Sequence, residues 1–276
     1  YLRGSASSKV SICIILGWDN DMQKAVLIIS TLDTKGEETL YLRDKVASLG
    51  MKPLLMDISM RGKGPSPAEI TPSMVAEAGG STLEEIHASR ERSKITNITI
   101  KGASGIARDL FSKGELSGVL GMGGSTGSLM ATEVMRALPF GVPKIMISST
   151  AALPGLSTRY IGTGDISLFH SVIEISGVSD LLKNVMDRAA SAMGGMLHDS
   201  ITSPLATESK IIAMTMLGPC EQCASSVRIA LEQHGYQVIG FSAAGIGDRA
   251  MEAMISQGFF KGVIDLAPGG VGEHLF

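Results

Sequence analysis

A chain of 276 residues with a formal net charge of −3 is long enough for one large or two modest cores. Its near-neutral balance gives no electrostatic footprint for direct nucleic-acid binding or an anionic membrane surface. Hydrophobic residues make up 44% and aromatics only 4%, with 16 Met, so the core must come from Val, Ile, Leu, Ala and Met, which suits a helix-covered parallel sheet.

The three cysteines, Cys13, Cys220 and Cys223, are too few for a disulfide scaffold and fit a reducing cytosol, so a cytoplasmic location is expected. Apolar runs such as VSICIIL and AVLIIS are far too short to span a bilayer. Residues 1–21 precede Met22, open without an initiator Met and read as an extension apart from the fold, although KVSICIIL could add a strand.

From residue 22 the pattern alternates short β-rich runs with helical ones. KAVLIIST predicts a buried strand, DTKGEE a polar turn, ETLYLRDKVASLG a helix stopped at Gly50, and KPLLMDIS the next strand. RGKGPSPAEITPS is a Gly/Pro loop. PSMVAEAGG, TLEEIHASRERSK and ASGIARDLFSKGE predict helices, and STLEEIHASRERSK reads as a solvated, charge-rich face or a partner surface. GVLGMG predicts a strand, followed by a glycine turn, a helix to about Leu138 and the strand PKIMISS. DISLFHSVIEISG and SDLLKNVMDRAASAMGGML are expected as helices, and the small residues Ala189 to Gly195 could form a dimer seam. This first unit spans residues 22–202.

The rhythm restarts in residues 203–276, with KIIAMTML, the turn GPCEQC, the helix ASSVRIALEQHG, YQVIGFS, a glycine turn into AAGIGDRAMEAMISQG, and KGVIDLA. The order strand, polar turn, helix, Gly stop and strand recurs, arguing for two doubly wound α/β units of Rossmann type with mostly parallel sheets. The second has too few strands for a full sheet, so the natural chain is expected to continue, or another element to complete the sheet.

Ligands in open α/β sheets sit beyond the carboxyl ends of the strands. Gly121, Gly123, Gly124 and Gly127 lie at such an end, where glycine permits positive φ and close approach to a bulky anion. The first helical turn, with Ser125 and Thr126, could then hold phosphate oxygens. The spacing is neither a P-loop nor G-x-G-x-x-G, and a tight packing turn explains it nearly as well. In a second loop, Thr31, Asp33, Thr34 and Lys35 open a helix; Asp33 or Thr34 could be an N-cap, but a cation at Lys35 opposes the helix dipole and makes sense beside an anion. A third loop brings Ser148, Ser149 and Thr150 after a strand, then Arg159, Gly164 and Asp165; Asp165 suits ribose or Mg²⁺, or simply caps the next helix. Gly245 and Gly247 repeat the glycine device in the second unit.

Cys220 and Cys223 form C-x-x-C at a strand-to-helix turn, where a redox role is conceivable but simple packing is preferred. No second ligand pair completes a zinc site, and the five His show no ligand spacing. No catalytic triad or nucleophile elbow stands out, so any hydrolysis should be slow.

Taken together, TLDTKGEE, GVLGMGGSTGSLMATEVMRALPFGVPKIMIS, DISLFHSVIEISG and FSAAGIGDRAMEAMISQG resemble the Tm-1-like ATP-binding domain family, over about Met22 to Leu266. The resemblance implies a pair of Rossmann-like subdomains, nucleotide binding and a homodimer. For a plant member it also implies inhibition of a viral replication helicase. Ser242 stands where the family's F-H-A-x-G-x-G stretch has His, and LPGLSTRY is longer than the family pattern. The leading expectation is therefore a protein binding ATP or a related nucleotide, with Mg²⁺ as a companion. Its rivals are a protein-interaction module with structural nucleotide, and an enzyme acting on a phosphorylated or carboxylated metabolite between the subdomains.

Overall fold

The computed structural model describes residues 23–61, 66–198 and 210–267. The expectations for residues 1–21, including the KVSICIIL strand, lie outside the described residues. The first unit runs β1 (Ala25–Ser30), α1 (Leu32–Ser48), β2 (Lys52–Asp57), α2 (Pro72–Gly79), α3 (Leu83–Ala88), α4 (Arg92–Ser112), β3 (Gly118–Gly123), α5 (Ser125–Arg136), β4 (Lys144–Ser148), α6 (Leu156–Ile161), β5 (Ser167–His170) and α7 (Asp180–His198). Its five strands are all parallel, in the order β2-β1-β3-β4-β5. The second unit runs β6 (Ile211–Met216), a 3-10 turn at Gly218–Cys220, α8 (Glu221–Gln233), β7 (Gln237–Ser242), α9 (Ile246–Ser256) and β8 (Gly262–Ile264), in the order β7-β6-β8, again parallel.

Period-two alternation in β1 sends its side chains to two cores. Val26 and Ile28 pack with Leu42 and Val46 of α1 and with Leu182 and Met186 of α7. Leu27 and Ile29 pack on the opposite face with Val75 of α2, Ala103 and Ala107 of α4, and Met130 and Val134 of α5. Helices therefore cover both faces, and continuous apolar strands are the sequence form that such burial demands.

Several boundaries differ from the expected ones. DTKGEE is helical rather than a turn: α1 begins at Leu32 and is kinked at Lys35, whose φ is −131°. The helix expected from Ala103 begins at Arg92, through β-branched residues of poor helix propensity. Tertiary packing overrides propensity there, because Ile95, Thr99, Ala103 and Ala107 form a buried stripe. Backbone contact tightens it further: a Cβ on Gly102 would fall 1.9 Å from the Val75 carbonyl oxygen, and one on Gly79 2.4 Å from that of Ile98.

DISLFHSVIEISG contains no helix. Its SLFH segment is the edge strand β5, pairing Ile145 with Ser167 and Ser148 with His170, and the rest is irregular. A four-residue segment with two apolar residues, Leu168 and Phe169, has no periodicity that separates strand from helix. Helix α6 begins inside LPGLSTRY, where a loop is expected, and runs to Ile161.

Ala189 and Ala190 of the expected dimer seam are fully buried against the first core, so they face this chain's own sheet. The two units touch where the amide of Phe140 donates to Gln257 Oε1 at 3.0 Å and the rings of Phe140 and Phe259 meet edge-to-face at 6.0 Å. These residues sit in the α5–β4 and α9–β8 connections, at the amino ends of the strands. No helix among the described residues is long and apolar enough to cross a membrane.

Candidate functional site

In the order β2-β1-β3-β4-β5 the winding reverses between β1 and β3, and open α/β sheets bind ligands in the crevice at such a reversal, beyond the carboxyl ends of the strands. Two helix N-termini, α1 and α5, flank it. They are equipped differently.

The amino end of α1 is filled by the protein's own groups. The Leu32 amide donates to Asp57 Oδ1 at 3.1 Å and the Asp33 amide to Ser59 Oγ at 3.0 Å, while the Thr34 and Lys35 amides return to the Thr31 carbonyl. Asp57 also accepts from the Ser59 amide and from Ser66 Oγ, so its buried carboxylate is fully used. Neither Asp33 nor Thr34 is the N-cap: Thr31 holds that position, without a capping side-chain bond, its hydroxyl 3.0 Å from that of Thr34. The ammonium of Lys35 donates to the Ile175 carbonyl, so its charge is anchored to the loop after β5.

The amino end of α5 is open. Gly124 is its N-cap, no side chain caps it, and its first turn holds no acidic residue. Gly121, Gly123, Gly124 and Gly127 are all absent from the positive-φ glycines, so the expectation of left-handed backbone is not met. They serve close approach instead. A Cβ on Gly121 would meet Met146 Sδ at 2.6 Å, and one on Gly123 would meet Gly127 Cα at 3.1 Å. Gly124 itself has φ −81°, and a Cβ there would have Ser149 Oγ, at 3.9 Å, as its nearest neighbour. Gly127 is buried, Thr126 half-buried and Ser125 exposed.

Two side chains border this opening. Arg92, the first residue of α4, places Nη2 2.8 Å from Thr126 Oγ1. Like Lys35, it puts a cation at a helix N-terminus, against the dipole; in the sequence it sits within a charge run that reads as a solvated face, so no local signal marks it. On the other side Ser149 Oγ donates to Glu174 Oε2 at 3.3 Å. Ser148 is fully buried and its hydroxyl lies 2.7 Å from that of Ser128. The Thr150 hydroxyl lies 2.8 Å from the Tyr160 hydroxyl.

Gly164 and Asp165 do not join this site. They precede β5, a strand rather than the expected helix, and so lie at the opposite, amino edge of the sheet. Asp165 Oδ1 pairs with Lys144 Nζ at 2.6 Å and Oδ2 accepts from the Gly141 amide at 2.7 Å. Lys144 is almost wholly buried and also donates to the Pro139 carbonyl. Burial pulls its pKa below the ordinary lysine value, and the hydrogen bond and charge of Asp165 oppose that fall.

Gly245 and Gly247 stand at the carboxyl edge of the second sheet, in a separate place. Gly245 caps α9 with φ 72°, and a Cβ on Gly247 would fall 2.1 Å from the Ser242 carbonyl oxygen. A groove of about 300 Å³ at that edge is lined by Met216, Leu217, Gly218, Glu221, Gly240, Phe241 and Ser242, a largely apolar surface with one carboxylate and one hydroxyl. Cys220 and Cys223 are free thiols, half-buried and exposed. No group of three or more His, Cys, Asp or Glu among the described residues could hold a metal ion.

Residues 24–202 match the N-terminal domain, and residues 209–276 the C-terminal domain, of the Uncharacterised protein family (UPF0261). A UPF0261 protein of Clostridium tetani is 35% identical over 245 residues, covering 89% of this chain and 60% of that protein. One from Brucella suis is 31% identical over 241 residues, covering 87% and 57%. The ToMV resistance protein Tm-1(GCR237) of Solanum lycopersicum is 36% identical over 164 residues, 58% of this chain and 22% of that protein. The chain thus spans about 60% or less of the length of these relatives. The two domain matches, in order along nearly the whole alternating α/β pattern, place this chain in the UPF0261 family.

Proposed function

We propose that the protein binds ATP or a closely related nucleotide at the carboxyl edge of its first sheet, with the phosphates at the amino end of α5. The observation that carries this reading is the contrast between the two helix ends. The amides of α1 are occupied by Asp57, Ser59 and Thr31, whereas α5 begins without a side-chain cap and with the Arg92 guanidinium on its first-turn hydroxyl. Amides and dipole of an open helix end favour an anion, and an adjacent guanidinium adds charge-assisted contacts. The winding reversal between β1 and β3 is where open α/β sheets place such ligands. Mg²⁺, where it takes part, would come with the phosphates, its usual mode.

A homodimer and a cytoplasmic location belong to the same proposal. The dimer draws on the family resemblance, since Ala189 and Ala190 are used internally; light scattering at micromolar concentration tests it, and a monomer would count against it. An antiviral, partner-inhibiting role gains nothing from the tomato relatives. The proteins named ToMV resistance and ToMV susceptible match over the same span of 164 residues at the same 36% identity. The two units meet at the edges opposite the carboxyl ends, where the cavity between them, bordered by Arg136, Asp165 and Gln257, is about 30 Å³, room for about one water, so a metabolite site there is the less favoured reading.

The test is calorimetric titration with ATP, ADP and adenosine. The reading expects affinity that depends on the phosphates, with adenosine weakest. Equal binding of all three, or none, would overturn it.

A further inference from the structure

A run of four hydroxyls crosses the interior beneath the open turn. Tyr160, from α6, is fully buried, and its hydroxyl lies 2.8 Å from Thr150 Oγ1 and 3.4 Å from the Ser125 carbonyl. Thr150 Oγ1 lies 3.2 Å from Ser148 Oγ, Ser148 Oγ lies 2.7 Å from Ser128 Oγ, and Ser128 Oγ lies 3.1 Å from the Gly123 carbonyl. Each hydroxyl carries one proton. Ser128 donates to Ser148, and the Ser125 carbonyl can only accept, so Ser148 donates to Thr150, Thr150 to Tyr160 and Tyr160 to the Ser125 carbonyl. This direction satisfies all four groups, and the run ends on the carbonyl just after the α5 N-cap, with the Gly123 carbonyl just before it as a second contact of Ser128.

We infer that Tyr160 is a positioning residue: directly at the Ser125 carbonyl, and through Thr150, Ser148 and Ser128, it fixes the β3–α5 turn on which the proposed phosphate site is built. Two features separate this from ordinary packing. The chain joins α6, an element outside the crevice, to the backbone of the turn, and hydrogen bonds in such a run polarise one another in the low-dielectric interior. The same turn has backbone closures that report its position: the Ser128 amide on the Gly124 carbonyl at 2.8 Å, and the Ser149 amide on the Gly123 carbonyl at 3.4 Å. The inference rests on the nucleotide reading only for its effect on affinity.

The experiment is amide hydrogen exchange, with ATP titration in parallel, on wild type, Tyr160→Phe, Ser128→Ala and the double variant. Tyr160→Phe keeps the buried ring and removes one hydroxyl. We expect exchange at Ser128 and Ser149 to quicken by about threefold to tenfold, the worth of one hydrogen bond, with β1 amides such as Ile28 unchanged. Ser128→Ala should do at least as much, and the double variant should fall short of the sum of the two, because both hydroxyls belong to one run. ATP affinity should fall in the same order. Wild-type exchange in Tyr160→Phe, equal quickening throughout the sheet, or simple addition in the double variant would overturn the assignment. If wild type binds no ATP, the nucleotide reading fails, and the exchange pattern still decides the role of Tyr160.

Discussion

Arg92 and Thr126, 34 positions apart in sequence, are joined by a 2.8 Å hydrogen bond that brings the first residue of α4 onto the first turn of α5. This contact sets a guanidinium beside an uncapped helix end. A cation is unfavourable at the start of its own helix, and the anion proposed above, shared between the two helices, would offset that cost.

Arg92→Ala is therefore expected to weaken ATP binding by about tenfold, the scale of one charge-assisted contact. Arg92 is exposed, so the melting temperature should barely move. Arg92→Lys should recover part of the loss, since it keeps the charge and loses the planar fork. Calorimetry at two salt concentrations checks both points. Unchanged affinity in Arg92→Ala would remove this residue from the site.

The neighbouring glycines should separate packing from binding. Gly123→Ala places a Cβ 3.1 Å from Gly127 Cα, backbone against backbone, and should cost about 1–3 kcal/mol of stability. Gly124→Ala meets nothing nearer than 3.9 Å and should be close to neutral. Denaturant melts of both variants decide, and equal losses would contradict the turn geometry described above.

At the far edge, Asp165→Ala leaves Lys144 buried with only the Pro139 carbonyl, and should cost about 3 kcal/mol without touching nucleotide affinity. The pH dependence has a definite sign. Lys144 is lowered from 10.5 by burial, so between its folded value and 10.5 the unfolded chain binds the proton more strongly, and stability rises with pH across that window. Removing Asp165 removes both influences that raise the value, so in the variant the rise should begin at lower pH. Urea midpoints measured from neutral to alkaline pH test this; a parallel offset at every pH would rule out the linkage.

Cys220→Ser with Cys223→Ser should leave stability within about 0.5 kcal/mol of wild type. Cys220 makes one long sulfur contact, 3.8 Å to the Leu266 carbonyl, and Cys223 is exposed. A large loss on thermal melting would instead reveal a structural or redox role for the pair.

The alternation of strands and helices was legible because apolar runs such as AVLIIS and KIMIS are buried on both faces, and that burial leaves a plain mark in sequence. The carboxyl-edge position of Thr31, Gly124 and Ser149 followed directly from that alternation. Asp165 was misplaced because the short strand SLFH was taken for a helix, which put the preceding loop at the wrong edge of the sheet. Arg92 and Tyr160 could not be found that way. Each reaches its partner across a tertiary contact, α4 to α5 and α6 to the β4 end, and no local spacing records such a meeting. Lys35 shows the converse: its odd placement at a helix start was visible, but its partner, the Ile175 carbonyl 140 positions away, was not.

The most direct test of the account is ATP titration into Gly124→Asp, with a thermal melt of the same sample. Gly124 has ordinary φ, open space and the N-cap position, where Asp is among the preferred residues, so the variant should fold and melt at or above the wild-type temperature. Its carboxylate would occupy the helix end that the account reserves for phosphate, and ATP affinity should fall at least about tenfold. A folded Gly124→Asp protein that binds ATP as tightly as wild type would contradict the placement of phosphate at the α5 N-terminus.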